Sequence, residues 1–135
     1  MKLFCSNAFT GEDVDVVTER MRGVVDALNE SGHEAYCPVF DPHKIELQEK
    51  SDTAAIFEYA FENVSKSDGM VAIVSSDRKS EGQLMEIGAA LSLHQPVYVF
   101  MHESAKDMPS HLTKLAAKSF IWTNQEDLEQ ALANI

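Results

Sequence analysis

In the stretch SEGQLMEIGAAL, residues 80–91, the residue that asks for an explanation is Glu86. Leu84, Ile87, Gly88 and Leu91 recur at helical spacing and form an apolar stripe. Glu86 sits between Met85 and Ile87, in a run with no other charge as far as Gln95. A carboxylate set in a buried helix needs a partner or a job. Ser80 and Gln83 fit the S-x-x-Q capping box. Gly82 in the first turn leaves backbone N–H groups open, so a phosphate or carboxylate can sit at the helix start. A serine that only caps the helix accounts for the same pattern. Asp68, in SKSDGMVAIV, reads by itself as a turn residue between a helix and a strand. Asp41, His43, His102 and His111 fall in loops. No two histidines have the spacing of metal ligands, so no metal is expected.

The elements that must hold these residues alternate along the chain. KLFCSN opens as a short buried strand. A helix follows, with Val17, Met21, Val24, Val25 and Leu28 on one face and Gly32 as its stop. EAYCPVF reads as a second strand whose proline suggests an edge or a strand end, and DPHKIELQEK, without a clear period, as a loop. Ser51 and Asp52 can cap the next helix, on which Phe57, Ala60, Phe61 and Val64 make a stripe. GMVAIV (69–74) has the continuous apolar character of a strand buried on both faces. After the helix that carries Glu86 come a buried strand, PVYVFM, a short helix in PSHLTKLAA and a last strand, SFIWT. Thr123 and Glu126 match a capping box before the final helix, with Leu128, Leu132 and Ile135 facing inward.

Strands alternating with helices imply a parallel sheet covered on both sides. The expectation is a single domain over 1–135: a flavodoxin-like three-layer α/β sandwich with a five-stranded parallel sheet in the order 2-1-3-4-5. Ligands in such sheets bind at the carboxyl ends of the strands, near the switch point beside the first strand. The relevant loops are then 6–13, 38–50, 75–82 and 102–110.

A net charge of -11, with no cluster of lysine or arginine, argues against a nucleic-acid or anionic membrane partner. Cys5 and Cys37 form no C-x-x-C pair and read as reduced core thiols. No signal peptide is recognisable and no apolar run is long enough to span a bilayer, so a cytoplasmic protein is expected. Two other flavodoxin-like chemistries can be tested on the residues. A phospho-receiver needs an acidic pair after strand one, which Glu12 and Asp13 supply. It also needs an aspartate ending strand three and a lysine ending strand five, where the chain has Val74-Ser75 and Trp122-Thr123. A flavodoxin needs a hydroxyl-rich phosphate loop, and SNAFTGED ends in acids that would repel one.

KSDGMVAIV followed by SEGQLMEIGAAL resembles the nucleoside 2-deoxyribosyltransferase superfamily, and within it the 2'-deoxynucleoside 5'-monophosphate N-glycosidases. Gly82, Glu86, Ile87, Gly88 and Ala90 match that family's G-x-x-x-E-[LI]-G-x-A motif. LFCSNAFTGED is similar to its first strand and sugar-phosphate loop, PSHLTKL to a segment that donates a serine to the neighbouring subunit, and SFIWTNQEDLEQAL to its ending. The resemblance covers nearly the whole chain. It implies Glu86 as the catalytic glutamate and Asp68 as the second acid. It implies Ser80 and Gly82 as phosphate contacts, Ser6, Asn7, Ala8 and Phe9 along the sugar and phosphate, and Ser110 as the serine given across a homodimer. The implied substrate is a small-molecule nucleotide or nucleoside, with no metal or redox cofactor.

The implied chemistry suits these residue types. Breaking an N-glycosidic bond passes through an oxocarbenium-like transition state, which a carboxylate beneath C1' can stabilise or trap covalently. Asp68 would protonate the leaving base, and a 5'-phosphate at the helix start would fix the ring over Glu86. Hydrolysis, transfer of the sugar to another base, and nucleotide binding without chemistry are three outcomes the residues leave open. The chain departs from the family at Leu3 and Phe4, where a tyrosine is frequent. It also departs at Leu84-Met85, which replaces glycine plus an aromatic, and in a longer loop carrying Asp77, Arg78 and Lys79.

Overall fold

The computed structural model describes residues 1–8, 11–107 and 111–135. Five strands form one parallel sheet in the order β2-β1-β3-β4-β5. They are β1 (Lys2–Asn7), β2 (Glu34–Tyr36), β3 (Gly69–Val74), β4 (Val97–His102) and β5 (Lys118–Trp122). The helices are α1 (Val14–Glu30), α2 (Pro42–Glu49), α3 (Thr53–Ser65), α4 (Glu81–Ser92), α5 (Leu112–Leu115) and α6 (Gln125–Leu132). This is the flavodoxin-like sandwich that the alternation of elements implies.

Strand side chains alternate between the two faces of a sheet, and here the alternation sorts the core into two clusters. Leu3, Cys5, Val71, Ile73 and Phe100 meet Val17, Met21, Val24 and Leu28 of α1 and Leu128 and Leu132 of α6. Phe4, Met70, Ala72, Val74, Val97, Val99 and Met101 meet Val64 of α3 and Ile87 and Ala90 of α4. All six residues of β3 are buried, as expected for the central strand. Ser6 shares the parity of Phe4, so it points toward α3 and α4. Cys5 and Cys37 are buried free thiols, and burial pushes the Cys37 thiol up to about 12.

Four local expectations are corrected. β2 stops at Tyr36, and Pro38–Phe40 form a 3₁₀ turn, because Pro38 lacks the N–H that a ladder needs. Residues 42–49 are a helix rather than a loop. Asp41 caps α2 by accepting from the His43 amide and Pro42 occupies its first position, but the helix has no fully buried residue and so leaves no apolar period. Asn124, not Thr123, caps α6, accepting from the Asp127 amide, while Thr123 donates its hydroxyl to the Asp127 carboxylate. On α4 the buried face is Gln83, Ile87 and Ala90. Leu84 and Met85 are 40% and 46% exposed.

Among the described residues, no helix is long and apolar enough to cross a membrane. The acidic pair after β1 is already used. Glu12 makes a two-pronged ion pair with Arg20, and Asp13 caps α1 through the Asp15 and Val16 amides.

Candidate active site

β1 lies between β2 and β3, where the strand order reverses, so a crevice opens at the carboxyl ends of β1 and β3. A cavity of about 180 Å³ lies there. Its walls come from the end of β1 (Asn7), from β2 and α2 (Tyr36, Lys44, Gln48), from α3 (Ile56, Phe57, Tyr59, Ala60) and from the start of α4 (Ser80, Gly82, Gln83, Glu86). Phe57 and Ala60, half of the stripe that the sequence places on α3, are thus cavity wall rather than sealed core.

Glu86 accepts a 2.7 Å hydrogen bond from the Ser6 hydroxyl, which ties α4 to the end of β1. Burial raises its carboxyl to about 7, against the pull of the Ser6 hydroxyl and the positive charge of Lys44. Beside it, the buried Gln83 donates from Nε2 to the carbonyls of Ile73 (2.9 Å) and Ser6 (3.4 Å). This staple holds the α4 start against both strand ends. Ser80 does cap α4, its hydroxyl accepting from the Gln83 amide at 3.3 Å, while the Gln83 side chain serves the strands. A methyl group at Gly82 would meet only the Phe57 ring, at 3.8 Å. Protein packing therefore does not require glycine there, and the space it leaves belongs to the cavity. Asn7 lines the cavity as well, with a buried side-chain Nδ2 that has no partner among the described residues.

The second polar group stands behind the aromatic wall. The hydroxyls of Tyr36 and Tyr59 both donate to Oδ2 of Asp41, each at 2.6 Å. Burial works to raise the Asp41 carboxyl. The two phenols and the His43 and Lys44 amides outweigh it and hold the group below its usual value. The phenols move the other way: burial first and Asp41 next push Tyr36 far up, and Asp41 raises Tyr59. His43 packs edge-on against the Tyr59 ring, 4.6 Å between centroids.

The structure thus brings together Glu86, Ser6, Asn7, Ser80 and Gly82. Ala8 lies one residue beyond β1 and is not among the residues that line the cavity. Phe9 and Ser110 lie outside the described residues. Asp68 is a correction. It sits at the amino end of β3, exposed, where its carboxylate accepts from the Lys2 amide at 2.8 Å and its own amide donates to the Lys2 carbonyl at 2.7 Å. β3 separates it from the cavity by roughly 17 Å at strand rise. Its observed work is to pin β1 to β3. Strand direction carries that signal, because a residue just before a parallel strand lies at the end opposite the ligand crevice. Tyr36, Lys44, Gln48, Tyr59 and the side-chain role of Gln83 are site features that sequence reasoning missed. For α2 the available signal was Asp41-Pro42, a cap followed by a first-turn proline.

The fold thus sets a buried carboxylate in a partly aromatic cavity, beside an open helix start on a doubly wound sheet. The nucleoside 2-deoxyribosyltransferase family model matches residues 4–127. The chain belongs to that family and is an enzyme of that kind. Its fold is similar to that of a CMP N-glycosidase from Clostridium botulinum (TM-score 0.67, 15% identity, covering 98% of this chain and 97% of that one). It is also similar to a 2-deoxyribosyltransferase from Bacillus psychrosaccharolyticus (TM-score 0.66, 16% identity, 98% and 96% covered). A conserved protein from Enterococcus faecalis shares the fold at a TM-score of 0.61 with 18% identity, over 99% and 98% of the two chains. No curated protein matches the sequence.

Proposed function

We propose that this chain hydrolyses the N-glycosidic bond of a nucleoside or 2'-deoxynucleoside 5'-monophosphate, releasing free base and sugar phosphate. The observation that carries this reading is Glu86: a carboxylate held by Ser6 at a cavity floor and bordered by the open first turn of α4. The phosphate would take the Ser80–Gly82 turn, where backbone N–H groups and the helix dipole favour an anion. The sugar would lie over Glu86, with Asn7 Nδ2 as an unspent donor for a hydroxyl. The base would fill the region between Tyr36, Ile56, Phe57 and Tyr59, where flat rings give contact at low entropic cost.

In this scheme the carboxylate of Glu86 attacks C1' as the base departs, and water then releases the sugar. Ser6 aims the carboxylate, and among the described residues this one hydrogen bond leaves lone pairs for the sugar carbon. The test is a panel of nucleosides and nucleoside monophosphates, with and without a second base, followed for free base. Base release without an acceptor supports hydrolysis. Release only with an acceptor makes the enzyme a transferase, and binding without turnover makes it a sensor.

The same reading includes a homodimer in which Ser110 reaches the partner's site. It is supported by the outer face of α4, where Leu84 and Met85 are exposed and nothing lies within 4 Å of a Cβ built at Gly88. Mixing inactive Ser110→Ala and Glu86→Gln chains should restore activity, because one site in a mixed dimer is then wholly wild type. A chain that turns over substrate as a monomer would rule this assembly out.

A further inference from the structure

In the scheme above the departing base still lacks a proton donor. Asp68 lies at the far end of β3, and Asp41 stands behind two tyrosines with its carboxylate committed to their hydroxyls. The phenols are poor acids for the task, since each already donates to Asp41; burial and then Asp41 push Tyr36 up, and Asp41 raises Tyr59. Glu86 is occupied with C1'. Among the described residues that line the cavity, one further side chain carries an acidic proton: Lys44, brought in by α2.

We propose that Lys44 is the leaving-group acid, donating from its ammonium to a carbonyl oxygen or ring nitrogen of the departing base. This rests on the N-glycosidase reading. With the phosphate assigned to the start of α4, a cation brought in by α2 has two places left, beside C1' or at the base. Next to C1' it would oppose the positive charge that develops on the sugar, whereas at the base it meets the electron pair left by the breaking bond. α2 approaches from beside Tyr36 and α3, the aromatic side assigned to the base, while Glu86 enters from α4. Lys44 is half-buried. Burial lowers its hold on a proton, moderated by the charges of Glu86 and Asp41, and this makes the ammonium a better acid.

The steps balance. The C1'–N bond breaks with its pair passing to the base, Glu86 bonds to C1', and Lys44 gives the base a proton and becomes an amine. Water then bonds to C1', and the Glu86–C1' bond breaks with its pair returning to the carboxylate. The proton released by that water goes to the Lys44 amine. One water is consumed, and both side chains are restored.

The experiment compares Lys44→Met with wild type on two substrates. One is the best nucleotide of the panel. The other is its counterpart with a better leaving base, N7-methylated for a purine or 5-fluorinated for a pyrimidine. General-acid loss predicts a kcat about 10²-fold lower on the ordinary nucleotide, with the loss at least about tenfold smaller on the activated one. KM should stay within about threefold on both. Lys44→Gln, which can hydrogen-bond but has no comparable proton to give, should behave like Lys44→Met and serves in its place should that variant fold poorly. An equal loss on both substrates, a loss confined to KM, or no loss overturns the assignment while wild-type base release leaves the N-glycosidase reading standing. Absence of base release by the wild type from any nucleotide overturns both.

Discussion

Glu86 lines the cavity, Asp41 stands behind its tyrosine wall, and their surroundings push the two carboxylates in opposite directions. Glu86, under burial and with one hydroxyl donor, is raised to about 7; Asp41, with two phenols and two backbone amides, is held below its usual value. The difference is one of burial first and of donor count second: Glu86 lies much deeper, and Asp41 has more donors. A carboxylate met by several N–H and O–H groups is stabilised as the anion and becomes a structural anchor, while one met by a single donor keeps unspent basicity. Divergent environments of this kind are how one site separates a reacting carboxylate from a supporting one. The two carboxylates also differ in position. Asp41 is walled off by the tyrosines it orients, and Glu86 faces the space where a ligand would lie.

The sharpest way to break the comparison is Glu86→Gln. Turnover should fall by about 10³ or more, because a neutral amide cannot meet the charge developing on the sugar. Nucleotide binding should persist in calorimetry. Stability should move the other way. Glu86's folded pKa lies above its unfolded value, so its stability contribution is full below the ordinary carboxylate range and is lost as pH rises through about 7. Removing the ionisation should therefore stabilise the protein at pH 8 by about 1–3 kcal/mol, with little change at pH 4, as read from urea unfolding. Wild-type turnover in this variant would make Glu86 an ordinary helix residue.

Asp41→Asn should have the opposite sign in the same assay. Asparagine can still cap α2. It removes the charge that both phenols satisfy, at a cost of about 2 kcal/mol at pH 8. Equal stability of Asp41→Asn and wild type would mean that the tyrosine pair is not anchored as described.

A third, smaller effect concerns the wall between these groups. Gly82→Ala should leave stability unchanged or raise it by up to about 1 kcal/mol, since alanine favours the helix. Its methyl should nonetheless weaken monophosphate binding about tenfold, by occupying space meant for ligand. Undiminished affinity would remove the α4 start from the phosphate site. The smallest effect is expected at the far end of the sheet. Asp68→Asn should keep turnover within about twofold and cost no more than about 1 kcal/mol, the scale of one hydrogen bond at an exposed strand end. A large kinetic loss there would overturn the distance argument.

The pH profile sharpens the first comparison without mutation. Glu86 must be a carboxylate to attack, so kcat/KM should fall as pH drops below about 7, and the fall should track its protonation. A profile flat down to pH 5 would place the reacting group elsewhere.

Much of this arrangement was legible in the residues themselves. Apolar periods locate β1, β3, β4, α1, α3 and α4, and the alternation of types dictates a parallel sheet with its crevice at the carboxyl ends of β1 and β3. Glu86 stood out because a lone carboxylate in an apolar helix has no local explanation. Helix α2 was missed because a helix without a buried face leaves no period, and because its cap and proline read equally as a turn. The stripe on α4 was out of phase because Gln83, a polar residue, occupies the buried face. It is there to bind carbonyls at two strand ends, a use invisible until those ends are placed beside it.

What the sequence by itself determined is the order and type of the elements, the sheet they form, and one carboxylate at its ligand-binding end. Periodicity records which face of each element leaves water, and that suffices to choose the fold. Only the tertiary structure decided which polar groups share a cavity. It carried Asp68 to the opposite end of β3, set Tyr36 and Tyr59 on Asp41, and brought Lys44 to the space that holds Glu86. These groups meet across chain separations with no local pattern, and the environment of a charge is set by all the elements around it, not by its neighbours in sequence.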